Sequence, residues 1–213
     1  MSVRGLYPPP YPLDLEDIQR AIDGTLLHQV IYEVYRPKRD AFILETGCGT
    51  GKLGIFYAVR GCNVTLVDID PHQINRSIKL LRAVEEVLGT RLAVGYRVGD
   101  AKALPYLDNT FSLVYSEGVV EHFVGEERQK YLKEMVRVSR ECVAVVAPSS
   151  ESEGSMRRSR ETLEKFPAME DKEHPIASEE MQSDLSAAGL QNIVVKRFDM
   201  MRDIGFVIGA GMK

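Results

Sequence analysis

Hydrophobic and polar residues alternate in blocks along this chain of 213 residues, and the blocks predict strands and helices in turn. Short runs rich in apolar and β-branched residues are typical of strands that are buried on both faces. Such runs lie between residues 41 and 147 and again after residue 189. The predicted strands are Ala41–Glu45, Asn63–Val67, Leu92–Val98, Phe111–Ser116, Cys142–Ala147, Leu190–Phe198 and Ile204–Ala210.

Apolar residues at helical spacing predict helices between these strands. From Asp14 to Tyr35 an apolar residue recurs every four positions, which predicts one helix with Asp14 as its N-cap and Pro37 beyond its end. Asp70 and Pro71 begin another helix, which Gly89 ends. The other predicted helices are Lys52–Arg60, Glu126–Arg140 and a last one that Ser178 caps and Gly189 ends.

This order predicts an α/β fold with a single Rossmann-like, doubly wound sheet and helices on both faces. The last two strands are joined by so few residues that they must pair antiparallel. We divide one domain, residues 1–213, into an N-terminal arm and lid helix (1–40) and a core (41–148). The domain also contains an insertion or lid (149–177) and a terminal helix with a β-hairpin (178–213).

Composition and charge are those of a globular protein, with 44% hydrophobic and 27% charged residues and a net charge of −4. An acidic chain is not expected to bind nucleic acid through a general basic surface. No apolar run is long enough to span a bilayer, and the N-terminus does not resemble a signal peptide. Three widely spaced cysteines suggest neither a disulfide framework nor a zinc site. We therefore expect a cytoplasmic protein without a membrane partner.

A glycine loop after the first strand is the strongest candidate for a binding site, because ligands bind beyond the carboxyl ends of parallel strands. The loop reads Glu45-Thr-Gly-Cys-Gly-Thr-Gly51. A phosphate-binding P-loop is excluded, since Thr46 replaces its first glycine and Leu53 its final hydroxyl residue. Gly49, Gly51 and Gly54 match the dinucleotide-binding spacing, so a nicotinamide-dependent oxidoreductase is an alternative.

The loop also belongs to a longer series of segments, each at the end of a predicted strand. They are Ile43–Gly51, Val67–Asp70, Val98–Pro105 and Asp108–Ser116. In this order they resemble the motifs of class I S-adenosylmethionine-dependent methyltransferases, in their small-molecule, type-11-like branch. The resemblance covers Ala41–Pro148 and, more weakly, Ser178–Lys213. One departure is Ser139-Arg-Glu-Cys142, where many relatives carry a Pro-Gly turn.

The resemblance implies a seven-stranded sheet of order 3-2-1-4-5-7-6 and methyl transfer from S-adenosylmethionine, with S-adenosylhomocysteine as product. It places Gly47 and Gly49 beside the methionine portion of the cofactor, with Glu45 supporting the loop. Ser116 and Glu117 would lie near the reactive sulfonium.

The resemblance assigns the adenosine portion of the cofactor to the ends of the second and third strands. Asp68 would accept hydrogen bonds from the ribose hydroxyls, and Ile69 would pack on the adenine. Asp100 would accept from the adenine amino group, while the Ala101 backbone meets the ring. Each of these residues would also fit a turn or cap, and only their joint order and spacing favours the methyltransferase.

The methyl acceptor is expected to be a small molecule. His122 is a candidate general base, because histidine can accept a proton near neutral pH. Glu117, Glu121 and His122 are an alternative set of metal ligands, but their spacing does not favour a metal site. The candidate substrate residues are Tyr7, Tyr11, Arg157, Arg158 and Arg160; a surface arm and a solvated charged face are the alternatives for them.

Two other functions remain open on the sequence. One is methylation of a protein or peptide, and the other is a catalytically inactive, cofactor-binding partner subunit. Enzymes that methylate amino groups of nucleic acids usually carry [DNS]-P-P-[YFW] after the fourth strand, whereas this chain has Ser116-Glu-Gly-Val119. The oligomeric state is not predicted.

Overall fold

The computed structural model describes residues 14–165, 173–200 and 204–213. Seven strands form one sheet in the order β3-β2-β1-β4-β5-β7-β6, which confirms the predicted order. β7 runs antiparallel to β5 and β6, and the other neighbouring strands are parallel. The strands are β1 Phe42–Thr46, β2 Asn63–Asp68, β3 Val94–Val98, β4 Phe111–Glu117, β5 Ser139–Pro148, β6 Gln191–Met200 and β7 Ile204–Met212.

Helices cover both faces of the sheet, as the alternating pattern predicted. They are α1 Leu15–Asp23, α2 Leu26–Val34, α3 Lys52–Val59, α4 Pro71–Leu88, α5 Gly125–Val138, α6 Glu153–Lys165 and α7 Ser178–Ala187, and a short 3₁₀ helix covers Val120–His122. α4 begins and ends where predicted: the Asp70 side chain accepts a hydrogen bond from the His72 backbone N–H at 2.8 Å, and Gly89 ends it with a φ of 63°.

The hydrophobic core is divided by the sheet into two layers. Ile43 and Leu113 face a layer that contains Phe56 of α3, whereas their chain neighbours Leu44 and Val114 face the layer built by α5 and α7. Because successive strand residues point to opposite faces, a strand covered on both sides must be apolar at nearly every position. This accounts for the continuous apolar runs in the sequence.

The prediction of one helix from Asp14 to Tyr35 is wrong, because the chain breaks at Gly24 into α1 and α2. Gly24 has a φ of 86°, and a Cβ there would lie 2.5 Å from the Phe56 ring, so glycine is needed for the close approach to α3. The break shifts the helical phase. Leu26 of the predicted apolar stripe is therefore 47% exposed, while Leu27 is buried.

The segment assigned to an insertion or lid, residues 149–177, contains the helix α6, which its polar sequence did not indicate. Its buried residues include the small, polar Ser152, Ser155 and Ser159. The Ser155 hydroxyl donates to the Gly205 carbonyl at 2.6 Å, and the Gly205 N–H donates to Ser152 Oγ at 2.8 Å. Hydrogen bonds to β7 thus accompany the burial of this helix, and hydropathy patterning cannot detect such a face. Residues 166–172 lie outside the described part.

The last helix differs from its prediction by one position. Ala177 is the N-cap of α7, and Ser178 is the first helical residue, whose hydroxyl donates to Glu151 at 3.0 Å. Met181 and Leu185 of this helix are buried in the core. Among the helices of the described residues, none is long and apolar enough to cross a membrane.

Candidate active site

The carboxyl ends of the parallel strands bring the predicted motifs to one edge of the sheet. Thr46, at the end of β1, pairs in register with Val67, and Asp68 pairs with Val98 at the end of β3. Glu45 pairs with Tyr115 of β4 on the other side. The glycine loop, Asp68 and the end of β4 are therefore neighbours, although they are far apart in sequence.

The glycine loop folds back sharply between β1 and α3. Gly47, Gly49 and Gly51 all have positive φ values, of 63°, 52° and 71°, which residues with a Cβ seldom adopt. A Cβ on Gly47 would lie 2.4 Å from Cγ2 of Val119, so this glycine is required by contact with the turn after β4. Gly49 has no heavy atom within 4 Å of such a Cβ. It therefore leaves open space beside the loop.

Asp68 ties this loop to the end of β2. Its Oδ2 accepts from the Gly49 N–H at 2.8 Å, and its Oδ1 accepts from the Asp70 N–H at 2.9 Å. The side chain is only 3% exposed, and burial raises the pKa of its carboxyl, with the two backbone hydrogen bonds opposing that rise. Each oxygen keeps lone-pair capacity for a further donor, such as a hydroxyl.

Two exposed apolar residues lie next to Asp68, one directly after it in the chain and one at the end of β3. Ile69 is 50% exposed and Val98 is 51% exposed. Asp100 is exposed, and its Oδ1 accepts from the Lys102 N–H at 2.8 Å, which leaves its other oxygen free of backbone contacts in the described residues. Ala101 is partly buried against the core. The residues predicted to bind adenine thus surround exposed apolar side chains, on which a flat ring can stack.

Glu45 is buried behind the loop. Its Oε2 accepts a hydrogen bond from the Gly54 N–H in the first turn of α3 at 2.9 Å, which holds the helix start against β1. Burial raises the pKa of Glu45 to about 8, and the carboxylates of Glu117 and Asp68 add to the rise. Near neutral pH Glu45 is therefore mostly protonated, which reduces the negative charge behind the glycine loop.

The end of β4 carries buried polar atoms without hydrogen-bond partners among the described residues. They are Ser116 Oγ, Glu121 Oε2 and His122 Nδ1. Glu117 lies partly buried between them, and burial raises the pKa of its carboxyl. Unpaired buried polar atoms are costly unless a ligand or water satisfies them, so this turn is the part of the site most suited to a polar ligand.

The sequence analysis missed Lys52, which directly follows Gly51. Lys52 forms an ion pair with Asp17 of α1, and its ammonium lowers the pKa of Glu117 against the effect of burial. The ion pair links the N-terminal helices to the glycine loop. A lysine at the first position of the helix after such a loop was the available signal, but its partner is 35 residues away in sequence and could not be foreseen.

His28 of α2 is buried. Its Nδ1 accepts from the Thr25 N–H at 2.8 Å, and its ring lies 5.2 Å from that of Phe56. Burial lowers the pKa of His28 to about 4, so the ring is neutral at physiological pH. α2 therefore packs on α3, beside the loop, through an uncharged histidine.

The structure does not bring all the predicted substrate residues to the loop. Arg157 and Arg160 line an open groove beside the end of β5 together with Glu151 and Met156, and Arg158 is exposed. Tyr7 and Tyr11 lie outside the described residues. No group of three or more His, Cys, Asp or Glu side chains is arranged to hold a metal ion within residues 14–165, 173–200 and 204–213.

Comparison with known proteins identifies the region that carries this site. Residues 44–146 match a family described as "Methyltransferase domain". Among curated proteins, norajmaline N-methyltransferase of Rauvolfia serpentina is 31% identical over 121 residues, which cover 56% of this chain and 39% of the relative. Phosphoethanolamine N-methyltransferase of Triticum aestivum is 36% identical over 81 residues, which cover 38% of this chain and 15% of the relative.

Solved structures extend the likeness to most of the chain. Magnesium protoporphyrin IX methyltransferase from Synechocystis, solved with bound S-adenosylhomocysteine, superposes with a TM-score of 0.68 over 96% of this chain and 90% of that one, at 15% sequence identity. At that identity the likeness establishes the fold. The matched regions span well under half of the two curated relatives. The family match, the sheet order and the glycine loop agree: residues 44–146 match the methyltransferase-domain family, and the chain has the fold of the solved methyltransferase structure.

Proposed function

We propose that this protein transfers a methyl group from S-adenosylmethionine to a small-molecule acceptor. The observation that carries the proposal is the hydrogen bond from the Gly49 N–H to Asp68, at 2.8 Å. It joins the glycine loop to the strand-end carboxylate at the sheet edge where ligands of open parallel sheets bind. Asp100 follows β3, and Ser116 lies near the end of β4.

The residues at this edge fit the cofactor chemically. Gly47 and Gly49 let the backbone approach its methionine portion, since a side chain at Gly49 would enter open space that a ligand can use. Asp68 accepts from the ribose hydroxyls through its remaining lone pairs. The half-exposed Ile69 packs on the adenine, and Asp100 accepts from the adenine amino group while the Ala101 backbone borders the ring.

Ser116 and Glu117 lie at the reactive end of the site. When bound, S-adenosylmethionine supplies an activated methyl group on a sulfonium. The protein must hold the acceptor in line with that group and exclude water. The buried end of β4 provides such a surface, and the ion pair of Lys52 with Asp17 anchors α1 beside the loop.

A small acceptor is favoured over a protein by two features. The curated relatives are named for methylation of an alkaloid and of phosphoethanolamine, which are small molecules. The end of β4 also buries its polar atoms, which suits a compact ligand rather than an extended peptide. We assign proton acceptance to His122 when the acceptor must lose a proton, and outer substrate contacts to Tyr7, Tyr11 and the arginines Arg157, Arg158 and Arg160.

Calorimetry tests the cofactor assignment. S-adenosylmethionine and S-adenosylhomocysteine are expected to bind the purified chain, and NAD and NADP are expected not to bind. Binding of a nicotinamide cofactor alone would overturn the proposal and favour the oxidoreductase.

Transfer of a labelled methyl group tests the acceptor class. After incubation with a cell extract, the label is expected in the small-molecule fraction. Label confined to the protein fraction would identify a protein or peptide methyltransferase. Cofactor binding without transfer to either fraction would identify an inactive partner subunit.

A further inference from the structure

Two glutamates lie close together at the end of β4, next to the glycine loop. Glu117 ends the strand, and Glu121 lies in the 3₁₀ helix. Oε1 of Glu121 is 3.7 Å from the position that a Cβ on Gly118 would take, so its carboxylate lies over the residue that follows Glu117. Glu121 is 2% exposed, and its Oε2 has no hydrogen-bond partner among the described residues.

The cations near this pair are already paired with other carboxylates. Arg128 of α5 donates to Glu180 and Asp184 of the α7 segment, and Lys52 forms an ion pair with Asp17. The side chains of Glu117 and Glu121 make no ion pair within the described part of the chain. If both carboxylates were ionised, they would therefore place negative charge at a largely buried position without an ion-pair partner among the described residues, which is unfavourable unless a cationic ligand binds there.

Charged side chains from three neighbouring segments act on the Glu121 carboxyl. They are the carboxylates of Glu117 on β4 and Glu173 before α7, and the guanidinium of Arg128 on α5; His122 is on its own helix. Burial raises the pKa of Glu121 to about 8, and the two carboxylates add to the rise. Near neutral pH, the site can thus both release a proton and accept one.

The pair also has a definite place relative to the cofactor loop. Val119 lies between Glu117 and Glu121 in the chain, and its Cγ2 occupies the space that a Cβ on Gly47 would need. The turn that carries the carboxylates is therefore in contact with the loop that is assigned to the methionine portion of the cofactor. A group bound by the two carboxylates would lie beside the reactive end of the site.

We propose that the acceptor is an amine, which Glu117 and Glu121 bind as its ammonium ion and from which Glu121, in place of the neighbouring His122, takes a proton. This inference rests on the function proposed above and names its substrate class. The ammonium gives one proton to the Glu121 carboxylate, which frees a nitrogen lone pair. That pair forms the new N–C bond to the methyl carbon, and the electrons of the broken C–S bond stay on sulfur in the thioether product.

The test uses two probes of matched shape that differ in charge, choline and its neutral carbon isostere 3,3-dimethylbutan-1-ol. Both are titrated by calorimetry into the protein saturated with S-adenosylhomocysteine, whose sulfur carries no charge. Choline is expected to bind at least about ten-fold more tightly, because each factor of ten corresponds to about 1.4 kcal/mol, the scale of one charge-assisted contact. Choline affinity should also rise as pH increases through about 8, where Glu121 ionises.

The variant Glu117→Gln/Glu121→Gln keeps the shape of both side chains and should bring the affinity ratio of the two probes close to one. The matched control is Glu126→Gln/Glu179→Gln, which removes the same charge from two exposed positions and should keep the ratio. Glu121→Gln alone should give an intermediate ratio and serves as a second variant if the double variant does not fold.

The outcomes separate this inference from the proposed function. If S-adenosylhomocysteine does not bind, the proposed function fails and the inference fails with it. If it binds, and wild-type protein shows no preference for choline, only the amine inference is overturned. A double variant that loses its discrimination between S-adenosylmethionine and S-adenosylhomocysteine, but keeps its preference for choline, would assign the carboxylates to the cofactor and also overturn the inference.

Discussion

Replacement of Asp68 by alanine separates the structural role of this carboxylate from its role in cofactor binding. In the folded chain, Asp68 Oδ2 and Oδ1 accept from the N–H groups of Gly49 and Asp70 at 2.8 and 2.9 Å. The variant loses both bonds, so the loop after β1 is no longer tied to the end of β2. It also loses the acceptor proposed for the ribose hydroxyls.

The expected loss of stability follows from these two contacts. A hydrogen bond to a charged group contributes about 1.5–3 kcal/mol. Gly49 and Asp70 are partly exposed, so water can replace part of each bond, and burial of the carboxylate already opposes its ionised form. We therefore expect Asp68→Ala to lower the free energy of unfolding by about 2–3 kcal/mol, near the lower end of the range for two bonds.

The expected loss of cofactor affinity is at least about ten-fold, since one lost charge-assisted bond exceeds the 1.4 kcal/mol that corresponds to a factor of ten. Urea unfolding measures the first effect, and calorimetry with S-adenosylhomocysteine measures the second. Asp70→Ala is the control, because it removes a carboxylate two positions away that caps α4 by accepting from the His72 N–H at 2.8 Å.

The control should lose about 1 kcal/mol of stability, as for a typical N-cap, and keep its cofactor affinity. A folded Asp68→Ala protein that binds S-adenosylhomocysteine as tightly as wild type would refute the proposed ribose contact. Equal losses of affinity in both variants would mean that any weakening of this turn disturbs the site, and that Asp68 has no special role.

Two further predictions concern the groups that shape the loop. Burial raises the pKa of Glu45 to about 8, so wild-type stability should fall as pH rises from the ordinary value of 4.5 towards 8, where the unfolded chain is ionised and the folded one is not. Glu45→Gln can still accept from the Gly54 N–H, so its stability relative to wild type should increase between about pH 5 and about pH 8 in urea unfolding; an equal difference at both pH values would contradict the buried proton. Gly47→Ala should cost about 2–4 kcal/mol, because its Cβ meets Val119 at 2.4 Å. Gly89→Ala, with the same φ of 63° but open space, should cost only about 1–2 kcal/mol, and similar costs for both would show that the contact with Val119 is easily relieved.

The sequence by itself determined most of the fold and the location of the candidate site. Strand runs that are apolar at every position require cover on both faces, and glycines after the first strand require positive φ, so both features are local and visible in the chain. Asp70 with Pro71 and Gly89 bounded α4 correctly for the same reason, because caps depend on a few adjacent residues. The sheet order came from the family resemblance and not from pattern alone.

Only the tertiary structure decided the features that depend on contacts between distant segments. The break at Gly24 exists because α2 must pass close to Phe56 of α3, and α6 is buried through serines that bond to β7. The ion pair of Lys52 with Asp17 likewise arises from side chains that meet after folding, and so does the burial of Glu121, whose Oε2 has no partner among the described residues. The periodicity of hydrophobic residues indicates which side chains are buried, but it does not indicate which polar groups become hydrogen-bonded. The partners of polar groups are decided by packing in three dimensions.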